Sequence, residues 1–387
     1  MKKLFGNTEV AFATKTDSEL ERAYFLFKMI QNEPLVRIGT AVTNFALNAR
    51  LPVERLIRST VFDHFCGGVT EENCIPTIEK MYSKNVHSVL DYSVEGKESE
   101  DQFDSALTKI LKIIDFAKEK NSVPFAVFKP TGFGRIALYE KIGKDEPLTA
   151  EEHKEWKNVL ERFHKVCKLA HKRDVPLLID AEESWMQDAA DDLIEEMMFI
   201  YNKDKAIVYN TLQMYRHDRM KYLKELYNRA TKEGFHIGMK IVRGAYMEKE
   251  RERAEDKGYI SPICIDKNAT DENYNAALTF MSKCKNVAIF AGTHNEESSY
   301  YMMELAKKEK LKVDDPKLWF GQLYGMSDHI SFNLAKDGYN IAKYLPFGPV
   351  RDVMPYLIRR AEENTSVAGQ TSRELNLLKT ERKRRKV

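Results

Sequence analysis

"LTAEEHKEWKNVLERFHKVCKLAHKRD" spans residues 148–174 and runs directly into "VPLLIDAEE" at 175–183. In the first stretch Trp156, Val159, Leu160, Phe163, Val166, Cys167 and Ala170 recur every three or four residues, the spacing of one helix face. Thr149 and Glu152 have the spacing of a capping box at its start. The second stretch is a short apolar run that ends in acids. It is too brief for a helix and suits a buried strand.

The same alternation recurs along the chain. Short apolar runs stand at "HSVLDYS" (87–93), "PFAVFKPTG" (124–132), "VPLLIDAEE" (175–183) and "AIVYNTLQMY" (206–215). They continue with "FHIGMKIVRGAY" (235–246), "VAIFAGTHN" (287–295), "LWFGQLYG" (318–325) and "NIAKYLPFG" (340–348). The connections are long enough for helices. Eight strand-then-helix units predict an α/β fold, a (β/α)8 TIM-type barrel, over 86–364. Before it, "SELERAYFLFKMI", "VRIGTAVTNFALNARL" and "TIEKMYSKN" predict an N-terminal helical region over 1–85. After it, residues 365–387 form an extension ending in the basic run "KTERKRRKV".

Bulk properties narrow the class. The 387 residues are 43% hydrophobic and 31% charged, with a net charge of +2. This is the composition of a globular protein, with no charge excess for a nucleic-acid partner. The five cysteines, Cys66, Cys74, Cys167, Cys264 and Cys284, are odd in number and scattered, so buried free thiols are expected. The N-terminus has no sustained apolar run, and no signal peptide or membrane span is expected.

Polar residues gather at the C-terminal ends of the expected strands, the face on which barrel active sites are built. Lys129 ends the second, Asp180 the third and Gln213 the fourth; Lys240–Tyr246 closes the fifth. Thr293, His294 and Asn295 close the sixth, Gln322 the seventh and Tyr344 the eighth. "TGFGRIA" offers Gly132-x-Gly134-x-x-Ala137, but Gly143 and Pro147 soon follow, so a strand-end loop over 133–147 is expected rather than a dinucleotide fingerprint. The nine histidines are dispersed, without the clusters a metal site needs.

"YLPFGPVRDVMPYLIRRAEEN" (344–364) follows the eighth strand. On a helix, Tyr356, Arg359, Arg360 and Glu363 share one side, and Met354, Leu357, Ile358 and Ala361 the other. Pro355 is tolerable if Asp352 caps the helix. An Arg359–Glu363 pair on a solvated face is one reading. The other is a two-arginine clamp over the barrel mouth for a small carboxylate, such as an amino acid, walled by Tyr344 and Tyr356.

"FKPTG", "IDAEE", "KIVRGAYMEKER", "FAGTHN", "FGQLYGMSDHISF" and "YLPFGPVRDVMPYLIRRAEEN", taken in this order, resemble the proline dehydrogenase family. The resemblance covers about residues 30–375. It is nearer the mitochondrial-type branch than the large bifunctional bacterial enzymes, and implies a monofunctional enzyme. It implies oxidation of L-proline to Δ1-pyrroline-5-carboxylate by hydride transfer from C5 to FAD N5. Matching positions imply that FAD contacts Asp180, Ala181, Gln213, Lys240, Arg243, Gly244, Ala245, Tyr246, Lys267, Thr270, Thr293, His294, Asn295 and Gln322. They imply that Arg359 and Arg360 hold the proline carboxylate, with Glu363 holding the arginines or Lys129 in place. Leu323, Tyr344 and Tyr356 would pack on the ring. Lys129, Asp180 and Lys240 are the implied catalytic residues, with Lys129 and Asp180 paired on the site floor and Lys129 also implied in substrate binding.

The family's electron acceptor, a membrane quinone, implies a cytoplasmic protein peripheral on the inner face of the cytoplasmic membrane. The basic tail, otherwise a frayed solvated end, would supply that contact. A flavoenzyme of the same fold acting on hydroxyproline is the rival. It would want a smaller residue at Tyr344.

Overall fold

The computed structural model describes residues 4–32, 34, 36, 39–41, 54–94, 96–366 and 370–387. Most of the expected helix at 36–51 lies outside them. All eight expected strands are present: β1 His87–Tyr92, β2 Phe125–Phe128, β3 Leu177–Ile179, β4 Val208–Gln213, β5 Ile237–Val242, β6 Val287–Gly292, β7 Leu318–Leu323 and β8 Ile341–Phe347. They follow one another in sequence order around a closed barrel. Pairing is parallel, with Lys240 opposite Thr211 on one side and Phe290 on the other. By contact grouping the chain falls into two compact units, Gly96–Phe320, and Met1–Glu95 with Gly321–Val387.

In the unit Gly96–Phe320, the helix Ala150–Arg173 begins at the expected capping box. The Glu152 N–H donates to Thr149 Oγ1 (3.2 Å) and the Thr149 N–H to Glu152 Oε2 (2.9 Å). Val159, Phe163, Val166, Cys167 and Ala170 are buried, while Trp156 and Leu160 at the edges of the stripe are half-buried. Phe125 meets the rings of Tyr209, Phe290 and Trp319 edge-on, at centroid distances of 5.8, 5.3 and 5.0 Å. These four sit on strands that are not neighbours, apart from β6 and β7, so they meet through the interior and fill it with apolar area.

The stretch 133–147 corrects the expectation of a loop. After a 3-10 turn at Pro130–Gly132 comes the helix Ile136–Gly143, with Leu138 and Tyr139 buried. The Tyr139 hydroxyl donates to the Pro130 carbonyl (2.9 Å), and Glu140 receives Arg253 (2.5 Å). Gly143 marks the end of this helix, so the breakers delimit an element rather than forbid one.

In the unit Met1–Glu95 with Gly321–Val387, the helix Asp17–Ile30 starts at a Thr16/Glu19 capping box. Ala11, Phe12, Leu20, Ala23 and Phe27 are buried with Leu375, Leu377 and Leu378 of the helix Gln370–Arg385. The tail is therefore a packed helix, not a frayed end. Arg382 pairs with Glu21 and lies 4.1 Å from the Tyr24 ring centre. Arg384 and Arg385 meet the fully buried Glu381, and Arg385 also reaches Asp17 (3.1 Å) and the Phe12 and Lys15 carbonyls (2.8 Å each). Deleting residues 380–387 should therefore cost about 2–4 kcal/mol in urea unfolding, through lost charge-assisted hydrogen bonds. An unchanged unfolding midpoint would show that these contacts carry no stability. Among the described residues no helix is long and apolar enough to cross a membrane. Cys66, Cys74, Cys167 and Cys264 are buried free thiols, and Cys284 is a half-buried one.

Candidate active site

The unit Gly96–Phe320 carries most of the residues implied for the cofactor. Lys240 on β5 is buried, and its Nζ lies 2.5 Å from Asp180 Oδ1 just past β3. Strands β3 and β5 both flank β4, so this bond crosses the barrel interior and turns both side chains inward. Asp180 thus takes Lys240 as a partner, one the sequence reading had not named. An ion pair this sheltered holds both groups in one geometry.

Beside it stands a carboxyl the sequence reading missed. Burial pushes Glu182 up to about 7, against the pull of the Thr131 N–H (2.9 Å), the Thr131 hydroxyl (2.7 Å) and the Lys129 ammonium. Ala181, between Asp180 and Glu182, is half-buried. Glu250, fully buried on the helix Met247–Lys257, accepts the Ser184 N–H (2.6 Å) and hydroxyl (2.5 Å) where the helix Ser184–Tyr201 begins. It lies within "KIVRGAYMEKER", where the sequence reading assigned it no role.

Arg243, just past β5, organises a second group. Its Nε donates to Asp271 Oδ1 (2.7 Å), Nη1 to Thr293 Oγ1 (2.7 Å) and Nη2 to Ser298 Oγ (2.9 Å). Its guanidinium lies 4.4 Å from the Tyr274 ring centre. Lys267 donates to the other Asp271 oxygen (2.5 Å). Burial alone would raise the Asp271 carboxyl, but Lys267 and Arg243 bring it below its ordinary value.

Asn295 caps the helix Glu296–Lys308 by accepting the Ser298 N–H (3.0 Å), and its own N–H donates to Thr293 Oγ1 (3.1 Å). His294 between them is half-buried. Two cations and a helix N-terminus in one place favour an anionic ligand. Thr270 is buried and turns its hydroxyl back to the Asp266 carbonyl (3.1 Å).

Gly244 has φ +132°, and a Cβ there would lie 2.4 Å from the Tyr215 ring, so only glycine lets the backbone pass. Ala245 and Tyr246 follow, both half-buried. Gln213, at the end of β4, is buried, and its Oε1 has no hydrogen-bond partner. A buried acceptor left this way calls for an N–H donor from a ligand.

The unit Met1–Glu95 with Gly321–Val387 carries Gln322, implied for the cofactor, and the residues implied for the substrate other than Lys129. Gln322, buried at the end of β7, accepts the Ser331 hydroxyl (2.8 Å). Tyr344 on β8 is buried, and its carbonyl accepts the Tyr324 N–H (2.8 Å). Tyr356 is buried among Met326, Met354 and Leu357, with Leu323 packed against the same cluster.

The side of the helix Val350–Ser366 that carries Tyr356 and Arg360 is buried rather than solvated. Arg360 is 7% exposed, with its guanidinium 5.3 Å from the Tyr356 ring centre, and Arg359 is half-buried. The Glu363 side chain lies outside the described residues. Asp352 does not cap this helix. Its N–H donates to the Pro349 carbonyl (2.9 Å), so it lies in the first turn and Pro355 sits inside the helix. There Pro355 leaves one i→i−4 bond unmade.

The model of the proline dehydrogenase family matches residues 74–373. The carbapenem antibiotics biosynthesis protein CarD of Pectobacterium carotovorum subsp. carotovorum is 36% identical over 330 residues, 85% of each chain. Proline dehydrogenase 1, mitochondrial, of Dictyostelium discoideum is 32% identical over 430 residues, 99% of this chain and 75% of that one. Among solved structures, proline utilization A (PutA) from Bdellovibrio bacteriovorus, inactivated by N-propargylglycine, aligns with a TM-score of 0.70 at 20% identity. That alignment covers 95% of this chain but only 37% of the PutA chain, and it supports the barrel fold alone. With more than three quarters of its length matched by the family model, this chain belongs to the proline dehydrogenase family.

Proposed function

We propose that this protein oxidises L-proline to Δ1-pyrroline-5-carboxylate with FAD as cofactor and passes the electrons to a quinone. The observation that carries the reading is the buried Arg360 beside Tyr356, a cation kept out of water next to an aromatic wall. A guanidinium held there can take a substrate carboxylate in two places. Arg359 and Arg360 hold that carboxylate in a fork, and Tyr356, Tyr344 and Leu323 pack on the ring.

The residues present fit FAD. Arg243 and Lys267 suit its pyrophosphate, and the orphaned Gln213 Oε1 suits an N–H of its ring system. Bound FAD supplies the hydride acceptor. Lys240, fixed by Asp180, keeps a positive charge at the strand ends where negative charge develops. The proline nitrogen must lose a proton so that its lone pair forms the C=N bond as hydride leaves C5. Lys129, Asp180 and water are the candidate acceptors of that proton.

Quinone access requires a peripheral contact with the inner face of the cytoplasmic membrane. Exposed Lys379, Lys383 and Lys386 supply charge for it, since Arg382, Arg384 and Arg385 already face carboxylates.

The test is a visible spectrum of the purified protein followed by anaerobic L-proline. A flavin spectrum that bleaches on addition is expected. A colourless protein that cannot take up FAD would sink the reading, and bleaching by hydroxyproline alone would move the substrate.

A further inference from the structure

Between β7 and the helix Asp328–Lys336 runs a four-residue turn, Tyr324–Ser327. It is strained: Gly325 has φ +79° and Ser327 φ +51°. A Cβ on Gly325 would lie 2.4 Å from the His64 carbonyl. Such a turn persists only where its surroundings fix it.

Here they do so on every side. The Gly325 carbonyl takes His64 Nε2 at 3.0 Å, and burial lowers His64 to about 3, so the ring is neutral and Nε2 carries the proton. The Met326 carbonyl takes Lys343 Nζ at 2.6 Å. The Ser327 N–H donates to Glu374 Oε2 at 3.1 Å, and His329 Nδ1 stands 3.6 Å from the same oxygen. Glu374 is 5% exposed and belongs to the helix Gln370–Arg385. A carboxylate at the start of the helix Asp328–Lys336 also suits its dipole.

What the turn carries is substrate-side. Met326 is buried in one cluster with Tyr356, and Leu323 packs against that cluster.

We propose that Glu374 is a positioning residue for proline: by holding the Ser327 N–H it sets the turn, and through Met326 it sets Tyr356 and Leu323. This rests on the proposed function. Glu374 does not touch the substrate, so its loss should loosen binding more than chemistry.

The test compares Glu374→Ala and Glu374→Gln in the full chain loaded with flavin. Gln keeps an oxygen that accepts the Ser327 N–H; Ala does not. Glu374→Ala should raise the proline KM about tenfold with kcat within about twofold, the effect of losing one charge-assisted hydrogen bond. Glu374→Gln should restore most of the affinity. Hydrogen exchange over 324–331 should quicken in the Ala variant, a readout independent of proline.

A wild-type KM in Glu374→Ala, with wild-type enzyme active, overturns the positioning role alone. An equal KM rise in both variants overturns the hydrogen bond as its cause. A wild-type chain inert to proline overturns the function instead. Should Glu374→Ala not fold, Glu374→Asp, which shortens the reach by one methylene, should give the KM rise at a wild-type melting temperature, and an unchanged KM overturns the proposal.

Discussion

Asp328→Asn should destabilise the protein by about 3–5 kcal/mol, the range for removing one partner of a buried ion pair. Asp328 faces two lysines, Lys343 at 2.8 Å and Lys15 at 3.1 Å. The Lys343 side chain is fully buried. Burial alone would raise the Asp328 carboxyl; the two ammonium groups instead hold it well below its ordinary value of 3.8. Burial lowers Lys343, and Asp328 works against that. Asparagine keeps the shape and removes the charge, leaving Lys343 to its carbonyl acceptors Met326 and Leu323.

The sign with pH follows from the depressed carboxyl. Its stabilisation is present above its unfolded value, near 4, and is lost as pH falls through the lower folded value. Urea unfolding of both proteins from pH 7 downward measures this. The gap should hold to about pH 4 and close below it. A gap under about 1 kcal/mol at pH 7 would show that the lysines are satisfied without Asp328.

The second large effect concerns catalysis. Arg360→Met should raise the proline KM at least a hundredfold, since truncating one side of a buried charged pair costs about 2–5 kcal/mol. Methionine keeps the length and the contact with Tyr356, so the loss isolates charge and fork. Arg359→Met should act in the same direction but less, because Arg359 is half-buried where Arg360 is buried. Arg360→Lys should recover only part, since an ammonium cannot match a carboxylate in two places. Flavin content should stay unchanged in all three. Steady-state kinetics with a flavin absorbance check decides the matter, and a KM within fivefold of wild type for Arg360→Met would remove the clamp.

The barrel was legible because each strand is a short apolar run closed by polar residues, and the runs at 87–93 and 340–348 resolved into β1 and β8 as read. Arg243 and Thr293 were legible as polar residues just past apolar runs, and Lys240 as a cation within one. Glu182, Glu250 and Glu374 were not. Each is an acid in a charged neighbourhood, and only its distant partners (Thr131, Ser184 and Ser327) separate it from a solvated one. The helix Ile136–Gly143 was hidden by breakers at its end, and the tail arginines by carboxylates more than 350 residues away, such as Asp17. Local pattern reports period and burial, whereas pairing across the chain is decided by the fold.

The cluster that joins Phe12, Leu20 and Phe27 to Leu375, Leu377 and Leu378 also constrains how the protein is made. The helix Asp17–Ile30 leaves the ribosome early, yet its apolar side is covered only after Leu378 has emerged. At about 5–20 residues per second that interval is roughly 20–70 s. During it Phe12 and Phe27 are open to chaperones and to neighbouring nascent chains, so yield on overexpression should depend on translation speed and chaperone supply.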